Sequence, residues 1–234
     1  MMKHGKRYNN ISKQVETDKK YSLKEALELA KKLKTANFDE TVELSMRLGV
    51  NPRHADQLVR GSVILPNGLG KSVKVLAIVS SEKEDEAKAA GADMIGFEDY
   101  IKKITEGWVD FDVMVTTPDM MKHIGKLGKH LGARGLMPSP KTGTVTMNIS
   151  QAVKDAKAGK VNYKVDKTGN IHSPIGKSSF KDEDILENAK VLIESVIAAR
   201  PATVKGQYVK SIYICTTMGP GIPVDIQTTL EATK

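Results

Sequence analysis

The chain has 234 residues, with 36 Lys or Arg against 28 Asp or Glu, a formal net charge of +8. Hydrophobic residues make up 40% and charged residues 27%, a balance that builds a core and excludes wholesale disorder. Aromatics at 5% argue against ring-by-ring stacking of single-stranded bases, and one cysteine, Cys215, excludes a disulfide framework and a cysteine-clustered zinc site.

That lone cysteine points to a reducing compartment. No apolar run approaches the roughly 18 residues that span a bilayer, and Met1 to Tyr21 is basic and polar without an apolar h-region. A soluble cytoplasmic protein with an acidic partner and no membrane partner is expected.

In chain order, residues 22–34 read as a helix: Ser22 and Glu25 form a capping box, and Leu23, Ala26, Leu27, Ala30 and Leu33 an apolar stripe. The period then changes to two. Val42, Leu44, Met46 and Leu48 face one way and Thr41, Glu43, Ser45 and Arg47 the other, a half-buried strand. Val59–Leu65 is a further strand. Val73–Val79 reads as a buried strand, 81–90 and 98–105 as helices ended by Gly91 and Gly107, 112–116 as a strand, and 118–127 as a helix with proline in its first turn. This alternation implies a parallel, doubly wound sheet, closed by a short helix over 151–157.

Val161–Val165 and Ile171–Ile175 flank Asp166-Lys167-Thr168-Gly169-Asn170, a hairpin turn. Ser179 and Asp182 are expected to cap a long helix running to Arg200 before Pro201. Ser211–Met218 alternates again, with Ile212 and Ile214 opposite Ser211, Tyr213, Cys215 and Thr217. The outer elements make an α+β domain: a four-stranded antiparallel sheet of split β-α-β type, two helices on one face and the second face open and polar.

Two glycine-bearing joints, Leu65-Pro66-Asn67-Gly68-Leu69-Gly70 and Ala158-Gly159-Lys160, divide the chain. The inner segment, 68–159, carries 13 Lys/Arg against 12 Asp/Glu, while the outer part, 1–67 plus 160–234, carries 23 against 16. A net +7 therefore belongs to a discontinuous basic domain and only +1 to its insert. Within the insert, 120–148 holds Lys122, Lys126, Lys129, Arg134 and Lys141 with no acidic residue. That stretch reads either as a solvated basic face or as a second contact to a polyanion.

No catalytic constellation emerges. Gly68-Leu69-Gly70-Lys71-Ser72 ends like a phosphate-binding loop, but Leu65 stands where that loop needs glycine, and a strand rather than a helix follows. Gly68, Gly70 and Gly159 fit hinge positions better. His4, His54, His123, His130 and His172 are scattered, so no metal or cofactor is expected. Cys215 has no evident activating base, and Asp39 and Glu43 read as solvated carboxylates on an exposed strand face. An enzyme using the insert for a nucleotide is the rival reading, since such sheets host many chemistries. Thr216-Thr217-Met218-Gly219-Pro220-Gly221 sets two hydroxyls at a strand end; it is an ordinary strand exit, or a set of donors and acceptors for RNA 2′-hydroxyls.

Phe38-Asp39-Glu40-Thr41-Val42-Glu43, Asp166-Lys167-Thr168-Gly169, Gly135-Leu136-Met137-Pro138-Ser139-Pro140-Lys141 and Thr216-Thr217-Met218-Gly219-Pro220, in that order, resemble the bacterial ribosomal protein L-one family, the first-numbered protein of the large subunit and of its mobile stalk. The resemblance runs from about Tyr8 to Pro220. It implies a Rossmann-like three-layer insert in a basic rRNA-binding domain, no enzymatic activity, and one copy within the ribosome. Large-subunit rRNA, exit-site tRNA and the protein's own operon mRNA, whose translation it represses, are the implied partners. Carried over by residue, the RNA surface includes Phe38, Thr41, Glu43, Lys167, Thr168, Thr216, Thr217, Met218 and Gly219. Charge adds Lys6, Arg7, Arg53 and Arg60 as phosphate contacts.

Overall fold

The computed structural model describes residues 5–16 and 19–231. His4, the rest of 1–4, residues 17–18 and the last part of the C-terminal tail lie outside the described residues. In chain order the elements are α1 (Lys6–Ser12), α2 (Leu23–Lys32), β1 (Thr41–Leu48), β2 (Arg60–Ile64), β3 (Val75–Ile78), α3 (Glu84–Ala89), β4 (Met94–Gly96), α4 (Glu98–Thr105), β5 (Val113–Thr116), α5 (Met121–Ile124) and α6 (Gly128–Ala133). They continue with α7 (Ile149–Lys157), β6 (Lys160–Lys164), β7 (Asn170–Lys177), α8 (Asp182–Ala198), β8 (Val209–Thr216), β9 (Ile222–Val224) and α9 (Ile226–Glu231). Two compact units result: one runs to Gly70 and resumes at Val161, and the other is Lys71–Lys160.

The first unit is built on an antiparallel sheet of order β7-β1-β8-β9. Its alternation is the one the sequence carries: Val42, Leu44, Met46 and Leu48 of β1, Ile171 and Ile175 of β7, and Ile212 and Ile214 of β8 are buried in one core with Leu27 of α2 and Leu192 of α8. The α2 capping box forms as expected, with the Glu25 N–H donating to the Ser22 hydroxyl and the Ser22 N–H to the Glu25 carboxylate.

Three local expectations are corrected. The turn at Asp166–Asn170 closes, with the Asp166 N–H donating to the Asn170 carbonyl at 2.8 Å, but its arms are not a hairpin. β6 pairs with β2 in a separate two-stranded sheet, and β7 pairs with β1. A turn signal is local and does not choose the strand partner; here the Tyr163 hydroxyl, bonded to Ser195 of α8, holds β6 on that helix. The fourth sheet strand is therefore β9, from the tail that carries no motif. Nor does Ser179 cap α8: the cap is Lys181, without a side-chain bond, and the Ser178 and Ser179 hydroxyls donate to Asp39 instead.

The second unit is a parallel sheet of order β4-β3-β5. Successive residues of β3 enter different cores: Val75 and Ala77 pack with Ala87, Val153 and Ala156, whereas Leu76 and Ile78 pack with Ile104, Ile124 and Leu131. That division is what helices on both faces of a sheet require. The fold is thus mixed α/β, an antiparallel unit and a parallel doubly wound one.

Asn188 of α8 is fully buried. Its amide donates to the carbonyls of Gly68 (3.1 Å) and Ile175 (2.8 Å) and accepts from the Asn67 N–H (3.1 Å). It ties the turn after β2 to both α8 and β7. Asn188→Ala strips partners from three backbone groups, and we expect a loss of about 2–4 kcal/mol of stability in urea unfolding.

Candidate nucleic-acid interface

Because the even-numbered residues of β1 face the core, Thr41, Glu43, Ser45 and Arg47 face outward, and none of them is buried. Strand register sets these side chains into rows. Arg47 stands between Asn170 and Ser211, Ser45 between His172 and Tyr213, and Glu43 between Pro174 and Cys215. Paired residues on neighbouring strands share a face, and Ser45, Arg47, Asn170, His172, Ser211, Tyr213 and Cys215 line a shallow, open depression of about 430 Å³ that reaches Gly219 and Gly221. Within it Ser45 Oγ lies 2.9 Å from His172 Nδ1, and His172 Nε2 lies 3.9 Å from the Asp166 carboxylate.

One end of this face is held by two clamps. The Thr41 N–H donates to the Thr217 hydroxyl at 3.0 Å, and the Thr217 N–H donates to the Thr41 carbonyl at 3.1 Å. Lys177 Nζ donates to the Thr41 hydroxyl at 2.9 Å. Beneath them lies Glu40, fully buried, whose two carboxylate oxygens accept from the Ala36 N–H (3.2 Å) and the Met218 N–H (3.0 Å). Burial, the largest single influence, pushes the Glu40 carboxyl up. The Met218 N–H, the neighbouring Thr216 hydroxyl, the Ala36 N–H and Lys34 together outweigh it, and the net shift is downward. From these pinned loops Phe38 and Met218 project 51% and 47% exposed, two large apolar side chains left in solvent.

At the other end, the turn between β6 and β7 is an Asp166-centred network. The carboxylate accepts from the Asn170 and Thr168 N–H groups at 2.8 Å and from the Thr168 hydroxyl at 2.8 Å. The Asn170 N–H is the chief cause that holds the Asp166 carboxyl down at about 2, with the Thr168 groups adding to it against a burial penalty. The Gly169 carbonyl accepts from the Leu48 N–H, which fastens this turn to the end of β1. Lys167 is exposed at its tip. A hollow lined by Pro52, Leu58 and residues 164–167 joins the turn to the loop that carries Arg53.

The structure therefore gathers most of the expected residues at the two ends of one sheet face. Phe38, Thr41, Glu43, Thr217, Met218 and Gly219 mark one end, and Lys167, Thr168 and Arg53 the other, separated by a strand about 24 Å long. Thr216 is turned inward and buried, and a Cβ on Gly219 would lie 2.5 Å from its hydroxyl. Thr216 and Gly219 thus shape the loop. Lys6 and Arg7 lie exposed on α1, and Arg60 is exposed at the start of β2; none of the three is in the sheet rows. Asp39 is corrected: it lies in the loop before β1, where the Ser178 and Ser179 hydroxyls and the Ser179 N–H hold its carboxyl below the ordinary range. Cys215 is half-buried, its thiol pushed up by burial and by Glu43. Among the described residues no cluster of His, Cys, Asp and Glu could hold a metal ion, and no helix is long and apolar enough to cross a membrane.

Comparison with known proteins matches residues 29–220 to the Ribosomal protein L1p/L10e family. The chain belongs to the ribosomal protein L1 family. The matched span contains β1, β7 and β8 and all of the second unit. The chain is also 58% identical over 224 residues, 95% of its own length and 94% of the relative's, to the large ribosomal subunit protein uL1 of Solibacter usitatus (strain Ellin6076). As an L1 family member it is a ribosome-associated, RNA-binding protein of translation and not an enzyme, which removes the nucleotide-using enzyme as a rival.

Ser45, Arg47, His172, Ser211 and Tyr213, which fill the face between the two ends, are not among the site residues that the sequence points to. Alternation within β1 and β8 is the signal that could have found four of them. The placement of His172 beside Ser45 depends on the β1–β7 register, which no local pattern encodes.

Glu40→Gln replaces one acceptor oxygen with a donor and removes the charge from two backbone hydrogen bonds. We expect it to cost about 2–3 kcal/mol at neutral pH. Because the Glu40 carboxyl is lowered on folding, its contribution is present above the ordinary glutamate value of 4.5 and fades as pH falls through the lower folded value. The stability difference between wild type and variant, measured by urea unfolding, should therefore shrink in acid.

Proposed function

We propose that this chain binds large-subunit rRNA through the open face of its antiparallel sheet, as a single-copy structural component of the large ribosomal subunit in the cytoplasm. The observation that carries this reading is the pre-formed face itself. It holds hydroxyls, a histidine and an arginine in fixed rows, with apolar Phe38 and Met218 at one rim and Lys167 at the other. Hydroxyls and carboxylates suit the 2′-OH of RNA, which both donates and accepts. Lysine and arginine supply phosphate contacts that give salt-dependent affinity and set orientation.

A face rigid before binding reads shape, so a messenger that copies the rRNA shape would occupy it equally. That is the basis for repression of the protein's own operon. Assistance in releasing exit-site tRNA is the accompanying role, with movement of the insert about Gly68, Gly70 and Gly159. Gly70 has φ +64° and no room for a Cβ beside the Phe180 ring, so the bend is best sought immediately after it.

Co-sedimentation with large subunits and titration with isolated large-subunit rRNA test the reading. Thr217→Val frees the Thr41 N–H and loosens the rim; we expect roughly 5- to 150-fold weaker rRNA binding, or about 1–3 kcal/mol, with the fold intact. Lys167→Ala should weaken binding to all RNAs alike and flatten the salt slope by about 0.7–0.9. A folded Thr217→Val variant that binds rRNA as tightly as wild type contradicts the placement of the site.

A further inference from the structure

We propose that RNA binding at the sheet face takes up a proton at His172, and that this proton releases the neighbouring Ser45 hydroxyl to the RNA. The inference rests on the sheet-face reading above and adds a regulation of that site by pH. Ser45 Oγ lies 2.9 Å from His172 Nδ1, and the Asp166 carboxylate lies 3.9 Å from His172 Nε2, at the opposite side of the ring. Ser45 and His172 both line the open depression, and the His172 side chain is 57% exposed, so a phosphate can reach it.

An ionised carboxylate only accepts hydrogen bonds. Asp166, held down at about 2 chiefly by the Asn170 N–H, stays ionised near neutral pH and favours the ring proton on Nε2. Nδ1 of the neutral ring is then an acceptor, and the Ser45 hydroxyl donates to it. When a second proton enters the ring, Nδ1–H donates to Ser45 Oγ and the bond reverses direction. The Ser45 O–H is freed to donate to a phosphate oxygen or a 2′-hydroxyl, beside a ring that has become a cation. The remaining charged and titratable groups around the ring do not build this relay. On β1, Glu43 and Arg47 flank Ser45 two residues to either side with opposite charge, so their effects on the ring oppose each other. On β8 stand Tyr213, opposite Ser45, and Cys215, whose thiol is pushed up by burial and Glu43 and stays protonated near neutral pH. Lys167 is exposed at the tip of the β6–β7 turn, and Lys177 of β7 is tied to Thr41 at the far end. No other histidine stands in the rows of this face. RNA phosphate favours the charged ring, so binding and protonation reinforce each other and affinity rises as pH falls.

The test is titration of the full chain with isolated large-subunit rRNA at constant ionic strength, between about pH 5.5 and 8, the range in which histidine is the side chain that ordinarily changes charge. Wild type should bind about three- to tenfold more tightly at the acid end, with a slope of log K against pH no steeper than about one, the limit for a single proton. His172→Gln should lose most of that slope. Ser45→Ala should weaken binding more in acid than at the alkaline end, because Nδ1 occupies the hydroxyl while the ring is neutral; a merely structural Ser45 would cost the same at every pH. Ser45→Thr, which keeps the hydroxyl, should restore the wild-type profile. A His172→Gln variant that folds normally and keeps the full wild-type slope overturns the proposal, as does a wild-type affinity that does not change with pH. Thr217→Val is titrated alongside. If it weakens binding at both ends of the range while the pH slope is absent, the sheet face stands as the site and this inference alone falls. If Thr217→Val binds as tightly as wild type, the sheet-face reading falls and takes the inference with it.

Discussion

A single buried carboxylate organises one end of the open sheet face of the first unit. Glu40 holds the loop before β1 and the loop after β8 by one backbone hydrogen bond each, while its own carbonyl accepts from the Ser178 N–H at 2.8 Å beyond β7. Three chain segments far apart in sequence therefore meet at one residue. Burying an uncompensated carboxylate is costly, and these N–H groups are what make the charge tolerable. The Thr41–Thr217 clamp above it and the exposed Phe38 and Met218 inherit their positions from that arrangement. A face held this way at one end is pre-formed, as the proposed recognition of a folded RNA by shape requires.

Much of this was legible in the sequence, because the face is produced by a period of two. Once Val42, Leu44, Met46 and Leu48 are committed to the core, Thr41, Glu43, Ser45 and Arg47 have only the other side to occupy, and the same logic applies to Ser211, Tyr213 and Cys215. What the pattern did not carry was pairing. The turn at Asp166–Gly169 is locally convincing, yet its arms join different sheets, because strand choice is settled by contacts more than a hundred residues apart, such as Ser45 with His172. The role of Glu40 is hidden for the same reason: a glutamate beside Asp39 and Glu43 reads as one more surface charge, and its Met218 donor lies far away in sequence. Asp39 reads likewise, although its serine donors lie beyond β7, and β9 lies in a tail with neither motif nor long alternation.

The second unit shows the complementary case, where composition said more than motif. Its three-layer packing follows from β3, whose successive side chains feed two cores, and its unequal charge follows from which helices carry acids. The acidic residues of α3 and α4 are gathered in the first half of the insert, and the cations of 120–141 in the second. The small aromatic content also takes on a different meaning. It excluded ring-by-ring stacking, and the structure puts in its place a hydrogen-bonding face rimmed by a few exposed apolar side chains.

The central claim is that the open sheet face is where RNA sits. Hydroxyl-radical footprinting of the full chain, free and bound to large-subunit rRNA, addresses it directly, since Phe38, Tyr213 and Met218 are each between 42% and 51% exposed when free and are oxidised readily. The account predicts that all three become protected together in the complex. Unchanged oxidation of these three side chains in a fully formed complex would contradict it.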